Sequence, residues 1–317
     1  MNPSPSGALE GLQKRGPEGK LHVVLLTYNR VEALEKTLRE VSSQTRPPDT
    51  ILVVDNGSLP EAELVAIAGG GDYLDAGNNL GPAGGFSLGM ARILETAGPD
   101  DWIVTLGDDG PPRTPDRFEK LWDFGIRCAD FHPRLAAVGS NGALYDRESG
   151  RFVRVPDSQL NGPVPVDYLA GSQFHRCEAL RALGPYREEL FFGFEEAEYG
   201  LRARRAGWAL FADGEMWFED RVKAGRLNLK KGSSIPNTAA WRRFYSARNI
   251  TALAREYGSR PTAALRVAVR TAVSGAIALL RTGRPMRDVM APLRGSLDGY
   301  RGKLGRTINP AKANKVN

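Results

Sequence analysis

The sequence predicts an α/β protein built on a doubly wound, mainly parallel sheet. Residues 21–26 and 51–54 are short apolar runs without polar–apolar alternation, which is typical of strands buried on both faces. The helix predicted after the first run places Val31, Leu34 and Leu38 on one face. Strand–helix alternation of this kind, continuing over about the first 110 residues, favours helices on both faces of one sheet.

The remaining elements follow from the same patterns, bounded by glycine, proline and polar turns. After about residue 130 the alternation weakens, and past residue 238 the chain becomes helical and basic. The predicted helices are 31–44, 60–68, 86–97, 176–183 and 196–206, the further strands are 72–75, 102–106 and 135–140, and residues 141–168 have hairpin character.

Polar residues gather where three of the predicted strands end. Thr27 follows the first strand, Asp55 the second, and the pair Asp108 and Asp109 follows the strand 102–106. Open α/β sheets bind their ligands at the carboxyl ends of the strands. A second acidic group, from Glu195 to Glu198, opens a later helix. Carboxylates at the ends of buried elements are costly unless a cation or a reacting hydroxyl needs them.

Composition excludes several classes. The chain has 317 residues, 41% of them hydrophobic and 25% charged, as in ordinary globular proteins. Its two cysteines, Cys128 and Cys177, cannot build a disulfide framework and form no zinc motif. The three histidines show no ligand spacing, and only His175 falls near the later acidic group. No G-x-G-x-x-G follows the first strand, which argues against a Rossmann oxidoreductase.

The two ends of the chain differ from the body. Residues 1–20 are rich in Pro, Gly and Ser, and we expect a disordered tail. Residues 260–317 carry 12 Lys and Arg against 2 Asp and Glu. Their apolar residues have helical spacing, so this basic helical extension either lies on an anionic membrane face or caps the body. The uncharged stretch 271–280 is too short to span a bilayer. We therefore expect a cytoplasmic protein, with peripheral contact at the inner membrane face left open.

Seven motifs occur in one order and together resemble the family-2 glycosyltransferases of GT-A fold. Within that family they are most similar to bacterial rhamnosyl- and galactofuranosyltransferases. The motifs are Thr27-Tyr28-Asn29-Arg30, Val53-Val54-Asp55-Asn56-Gly57-Ser58, Asn79-Leu80-Gly81-Pro82-Ala83-Gly84-Gly85, Asp108-Asp109, Leu169-Ala170-Gly171-Ser172, the segment 194–208, and Trp241-Arg242-Arg243-Phe244-Tyr245-Ser246-Ala247-Arg248-Asn249.

The resemblance implies a catalytic domain over residues 21–257, with a nucleotide-binding half (21–130) and an acceptor half (131–257), followed by the extension 258–317. It implies an inverting transfer of sugar from a UDP- or dTDP-sugar, usually with Mg²⁺ or Mn²⁺. The acceptor would be a hydroxyl of a glycan, a lipid-linked saccharide or a small metabolite, and we expect no nucleic-acid partner.

The resemblance also assigns roles by position. Glu196 falls where the family has its catalytic base, with Glu195 as the competitor, and Asp109 falls at the metal-binding acid. The nucleotide-sugar residues are Thr27, Arg30, Asp55, Asn79, Gly84, Gly85 and Asp108, and the acceptor residues are Glu198, Gly171 and Trp217.

Simpler interpretations stand beside these roles. Asp55 can form only an Asx turn, and acids at a helix start are favoured by the helix dipole alone. The metal site also departs from the family pattern, since Gly107 replaces its first acid and Phe218 stands where a His is common. Glu219 or Asp220 would then complete the site, or basic residues would neutralise the diphosphate without metal. A nucleotide-sugar-binding protein without transferase activity is the alternative.

Overall fold

The computed structural model describes residues 19–227, 239–260, 262–282 and 286–308. For residues 275–282 and 286–289 it describes the backbone only. The predicted N-terminal tail lies outside these residues except for its last two. Within the described ranges no helix is both long and apolar enough to cross a bilayer.

Eleven strands occur in the described residues, and the five predicted ones lie within a residue or two of their predicted bounds. They are β1 (Leu21–Thr27), β2 (Thr50–Asp55), β3 (Asp72–Asp75), β4 (Trp102–Gly107), β5 (Leu135–Gly139), β6 (Gly142–Asp146), β7 (Arg151–Val153), β8 (Pro163–Pro165), β9 (Tyr168–Leu169), β10 (Gln173–Arg176) and β11 (Ala209–Asp213).

Ten α-helices accompany them in the same ranges, including two that the sequence analysis did not predict, α4 and α7. The helices are α1 (Val31–Ser42), α2 (Pro60–Ala68), α3 (Gly81–Leu94), α4 (Arg117–Phe131), α5 (Cys177–Leu183), α6 (Glu195–Arg205), α7 (Gly214–Lys223), α8 (Ala240–Tyr257), α9 (Thr262–Thr282) and α10 (Met286–Arg301).

The main sheet has eight strands in the order β3-β2-β1-β4-β10-β5-β11-β8. The strands from β3 to β4 run parallel, whereas β10 is antiparallel to both of its neighbours. The mainly parallel, doubly wound sheet is therefore confirmed. A smaller sheet, β7-β6-β9, accounts for the predicted hairpin character of residues 141–168.

The first strand shows why its apolar run does not alternate. Val24 and Leu26 point into one hydrophobic cluster, and Val23 and Leu25 point into another on the opposite face. All four are at most 8% exposed. Because helices cover both faces, the inner positions of such a strand are apolar, and the one polar residue near its start, His22, is buried with hydrogen-bond partners in Thr50 and Asp101.

Helix α3 begins at Gly81, five residues before its predicted start. Gly81 has φ +71°, and Pro82 at the first turn has a backbone shape that suits a helix start. A Cβ at Gly85 would lie 2.4 Å from Leu26, and one at Gly89 would lie 2.4 Å from Val24. The glycines therefore let this helix pack directly against β1, which residue pattern alone did not indicate.

The C-terminal helices pack on the body through α8. A Cβ at Gly295 or Gly299 of α10 would lie 2.2 or 2.1 Å from a carbonyl oxygen of α8, so the two helices approach through these glycines. Helix α9 has two unlike faces. Ala263 and Val267 are buried against α8, whereas the opposite face carries exposed apolar side chains. These exposed residues are Leu265, Val269 and Val273.

Candidate active site

A cavity of about 700 Å³ opens at the carboxyl ends of β1 and β4. It brings together residues from both halves of the chain, including Asp109 and Glu196, which are remote in sequence. Seven of the residues predicted for the site line it: Thr27, Arg30, Asn79, Asp108, Asp109, Gly171 and Glu196.

The ends of β1 and β4 are tied together by Asp108. Leu26 is paired with Gly107 in the parallel register, so the residues that follow them lie side by side. The Thr27 hydroxyl donates to Oδ2 of Asp108 at 2.9 Å, and Arg30 donates to Oδ1 at 3.2 Å. Burial raises the pKa of Asp108, while Thr27 and Arg30 act in the opposite direction.

Asp109 faces the opening of the same cavity. Its side chain is 71% exposed, and Arg30 donates to its Oδ2 at 2.7 Å. The hydrogen bond from Arg30 to Asp109 and the charge of Asp108 raise the pKa of the arginine. One guanidinium therefore lies between two carboxylates, and this wall presents a cation and two anions to any ligand.

Helix α6 contributes Glu196, at its first turn, to the lining of the same cavity. The helix starts sharply because Phe194, at its N-terminal boundary, adopts a left-handed backbone with φ +71°. Glu195 is 6% exposed and points away from the cavity, while Glu196 is partly exposed and lines it. Burial first, and the neighbouring Glu195 second, raise the pKa of Glu196 above the ordinary range of a glutamate.

Polar groups lie behind the two glutamates. Tyr168 and the fully buried Gln173 favour the charged form of Glu196 and partly offset the effect of burial on its pKa. His175 is also fully buried, with Nε2 at 3.1 Å from the Tyr186 hydroxyl. Burial lowers the pKa of His175 to about 3, so the imidazole is neutral. His175 does not line the cavity.

Asp55 does not line the cavity. Its carboxylate accepts hydrogen bonds from the backbone N–H groups of Gly57 at 2.6 Å and Leu59 at 2.8 Å, which is the Asx-turn arrangement. The next residue, Asn56, lines the cavity and donates from Nδ2 to the Gly81 carbonyl at 3.0 Å. The turn held by Asp55 thus presents Asn56, which the sequence analysis did not single out.

Four other predicted residues also lie off the cavity wall. Gly84 and Gly85 are buried inside α3. Glu198 is a buried residue of α6 itself, and its carboxylate is held by Arg202 and by the Tyr257 hydroxyl, which donates to it at 2.8 Å. Trp217 is 5% exposed within the core. None of these four residues lines the cavity, because each is buried within a helix and contacts other parts of the body.

The two expected substitutes for the missing metal-binding histidine do not reach the cavity. Asp220 pairs with the buried Arg117 at 2.9 Å and with Arg113 at 3.3 Å. Glu219 lies outside, 3.8 Å from Lys223. Among the described residues, no three His, Cys, Asp or Glu side chains come together to hold a metal ion.

Asp108 and Asp109 are the acids that remain for a cation. Carboxylate oxygens suit Mg²⁺ and Mn²⁺, and Asp109 is accessible from the cavity. Mg²⁺ needs six ligands, and the two aspartates provide only some of them. Asp108 and Asp109 therefore fit such an ion when oxygens of a nucleotide-sugar donor and water molecules supply the other ligands.

Other cavity residues come from segments that the sequence analysis gave only as motifs or did not mention. An aromatic and basic rim is formed by Phe191, Phe192, Trp241 and Arg242. Arg242 lies 5.5 Å from the ring centre of Phe192 and 5.2 Å from that of Trp241. The Trp241–Asn249 motif was a signal for this rim, but nothing in the residue pattern placed α8 at the cavity.

The family comparison agrees with this geometry. Residues 22–153 match the family model for glycosyl transferase family 2. This segment belongs to glycosyltransferase family 2. It contains β1 through β7 and the wall formed by Thr27, Arg30, Asp108 and Asp109, whereas Glu196 lies beyond it. The resemblance drawn from the motifs is confirmed.

Two relatives with curated names extend further along the chain. Galactofuranosyltransferase GlfT1 of Mycobacterium tuberculosis H37Rv is 44% identical over 205 residues, covering 58% of this chain and 64% of the relative. N-acetylglucosaminyl-diphospho-decaprenol L-rhamnosyltransferase of the same strain is 27% identical over 224 residues, covering 59% and 71%. The chain thus spans less than two thirds of the length of the galactofuranosyltransferase.

A solved structure shows the same fold. The mannosyltransferase PcManGT of Pyrobaculum calidifontis, in complex with GDP-Man and Mn²⁺, matches with a TM-score of 0.51 at 15% identity. The match covers 94% of this chain and 91% of that one. The GT-A fold predicted from the sequence is confirmed.

Proposed function

We propose that this family-2 protein is an inverting glycosyltransferase that uses a nucleotide-diphosphate sugar. The observation that carries the proposal is that Glu196 and the pair Asp108 and Asp109 occupy walls of one cavity, about 700 Å³ in volume. A cavity of this size suits a small ligand such as a nucleotide sugar. The arrangement leaves room for a sugar between a proton acceptor and a charged group that binds diphosphate.

The donor occupies the wall formed by β1 and β4. Thr27, Asn56 and Asn79 offer polar contacts to the nucleotide, and Arg30 and Arg242 neutralise the diphosphate. Asp109, together with Asp108, would hold Mg²⁺ or Mn²⁺, and the ion would supply further neutralisation of the leaving diphosphate.

The transfer is a single displacement. Glu196 takes the proton of an acceptor hydroxyl while that oxygen attacks the anomeric carbon. The bond from this carbon to the diphosphate oxygen breaks, and the nucleoside diphosphate leaves with the electron pair. Attack from the face opposite the leaving group inverts the anomeric centre. The carboxylate also stabilises positive charge that develops on the sugar ring.

The choice of donor follows from the names of the relatives. We propose UDP-galactofuranose as the first donor to test, since the relative at 44% identity is named a galactofuranosyltransferase. A dTDP-rhamnose donor is the second, from the relative named an L-rhamnosyltransferase. A hydroxyl of a lipid-linked saccharide or glycan is the acceptor, for which the aromatic rim of Phe192 and Trp241 offers a stacking surface.

The test is a transfer assay with purified protein. The protein is incubated with each donor, a lipid-linked or free saccharide and Mn²⁺, and both nucleoside diphosphate release and the mass of the product are measured. Acceptor-dependent release from wild type, lost in Glu196→Gln, supports the proposal. Donor binding without release above background, with every acceptor tried, would favour the nucleotide-sugar-binding alternative.

The two faces of α9 support a proposal about location. Its buried face packs on α8, and its exposed apolar residues lie beside the exposed Arg266 on the same helix. An amphipathic helix with basic residues binds anionic membranes through both features. We propose that α9 caps the body and also contacts the membrane where a lipid-linked acceptor resides.

A further inference from the structure

The segment that follows α10 returns to the cavity. Residues 302–308, here called the C-terminal strap, leave the end of α10 and run along the loop that precedes α6. The backbone N–H of Gly305 donates to the Glu189 carbonyl at 2.6 Å. The strap is therefore hydrogen-bonded to the loop 188–194, here called the base loop.

Arg248 strengthens this junction from α8. Its fully buried guanidinium donates to the Leu190 carbonyl at 2.7 Å and also to the carbonyl of Gly305. Asn249 donates to the carbonyls of Leu190 at 2.9 Å and Gly193 at 2.7 Å. The base loop, which has little regular structure of its own, is thus held by side chains from α8 and by the strap.

The strap also reaches the donor wall. Arg306 donates from Nη1 to the Asn79 carbonyl at 3.1 Å, and its guanidinium lies 5.6 Å from the ring centre of Phe191. Asn79 and Phe191 both line the cavity, one on the donor side and one on the base side. Asn79 belongs to residues 76–80, here called the donor loop, which lead into α3. The start of α3 meets the base loop directly as well, since the Ala83 N–H donates to the Phe191 carbonyl at 3.3 Å.

Beyond Arg306 the strap is anchored to α8. The Tyr245 hydroxyl donates to the Ile308 carbonyl at 2.7 Å and accepts from the Ile308 N–H at 3.0 Å. Tyr245 is buried and packs against Phe191, with ring centres 5.0 Å apart. The strap is therefore fixed on both sides of Arg306, which keeps that side chain over the junction of the two loops.

We propose that the C-terminal strap positions the two walls of the cavity relative to each other, with Arg306 as a positioning residue for the donor. Arg306 acts through the Asn79 carbonyl and the Phe191 ring, and Gly305 acts through the base loop. As far as turnover is concerned, this inference rests on the proposed transferase function. The statement that the strap holds the donor loop and the base loop together does not depend on that function.

The test uses the full chain with single substitutions. Arg306→Ala removes the contacts with Asn79 and Phe191, and Tyr245→Phe removes the anchor while keeping the ring. Lys303→Ala is the matched control, because Lys303 is an exposed cation of the same segment that does not line the cavity. Kinetic constants for donor and acceptor are measured for each variant with UDP-galactofuranose.

Arg306→Ala should raise the donor KM about fivefold, the ratio expected when one hydrogen bond of about 1 kcal/mol is lost. The acceptor KM should stay unchanged, and Tyr245→Phe should shift the donor KM in the same direction. Loss of folded protein alone would lower the apparent kcat and leave KM unchanged. A donor KM for Arg306→Ala that equals the value for Lys303→Ala would overturn the proposal for turnover.

Hydrogen–deuterium exchange provides a readout that does not need activity. Peptides covering residues 78–86 and 188–194 should exchange faster in Arg306→Ala and Tyr245→Phe than in wild type and Lys303→Ala. Equal exchange in all four proteins would show that the strap does not hold the loops. If wild type transfers no sugar, the proposed function fails, and these exchange rates still decide the role of the strap.

Discussion

Glu195 and Glu196 are consecutive residues of α6 with different surroundings. Glu195 is 6% exposed and, among the described residues, its Oε2 has no hydrogen-bond partner. Glu196 reaches the cavity and has Tyr168 and Gln173 beside it. Each carboxylate disfavours ionisation of the other, so the two titrate as a pair. The member that faces the cavity can exchange a proton with a ligand.

Substitution of Glu196 by Gln should lower kcat by about 10²- to 10⁴-fold, because the amide cannot take the acceptor proton. Binding of UDP, measured by calorimetry, should remain as in wild type. Glu188→Gln is the control, since Glu188 is exposed in the base loop and does not line the cavity. If Glu196→Gln retained wild-type turnover, a residue other than Glu196 would be the base.

The pH dependence of turnover should reflect the raised pKa of Glu196. The base works only when it is deprotonated, so kcat/KM should rise with pH, with a midpoint above the ordinary glutamate value. Glu195→Gln removes a neighbouring negative charge and should move that midpoint to lower pH. Rate profiles for the two proteins from pH 5 to 9 test this. An identical midpoint in both would show that Glu195 does not influence the base.

Asp109→Asn should weaken the response to Mn²⁺ and raise the donor KM. The substitution removes a negative charge from the exposed carboxylate that we propose as a cation ligand, while leaving Asp108 in place. Stabilisation of the protein by Mn²⁺ plus UDP, measured by thermal shift, should fall in the same variant. Wild-type activity that persists in excess EDTA would contradict a metal role for this pair.

Asp220→Asn should destabilise the fold without changing the response to Mn²⁺. Asp220 and Arg117 form a buried ion pair, with side chains 8% and 6% exposed. Removing one partner of such a pair costs about 3 to 5 kcal/mol of unfolding free energy. Chemical denaturation measures this loss, with the exposed Glu219→Gln as the control. If the folded Asp220→Asn protein no longer responded to Mn²⁺, Asp220 would instead have to be part of the metal site.

The exposed face of α9 should bind anionic vesicles. Replacing Leu265, Val269 and Val273 by Ser removes apolar surface that is more than half exposed, so the fold should be retained. Sedimentation with phosphatidylglycerol vesicles should show weaker binding of this variant than of wild type. A variant with Leu64 and Ile67 replaced by Ser, exposed residues of α2, is the matched control. Equal binding of all three proteins would rule out this contact.

The pattern of residues was sufficient for the strands near the donor wall. Apolar runs such as 21–26 are unambiguous because both faces of a parallel sheet are covered, and polar residues at the strand ends mark the ligand edge. The same logic placed Thr27, Arg30 and Asp108 correctly at the cavity. It also predicted helix α6, since Glu195 and Glu196 open a run with helical spacing.

Other features depend on contacts between distant segments. Asp55 was predicted to touch the nucleotide, yet its carboxylate closes a turn and Asn56 lines the cavity instead. A strand-end Asp serves either purpose, and only the local backbone decides between them. Glu198 and Trp217 likewise have suitable chemistry but face the interior.

The sequence by itself determined the fold class, the resemblance to glycosyltransferase family 2 and the two acidic groups, because these depend on local spacing and on the order of motifs. Only the tertiary structure decided which side chains share the cavity, that Asp220 is bound to Arg117, and that residues 302–308 return to the base loop. Such contacts join positions far apart along the chain, and they form through packing of whole elements, which no short window of residues encodes.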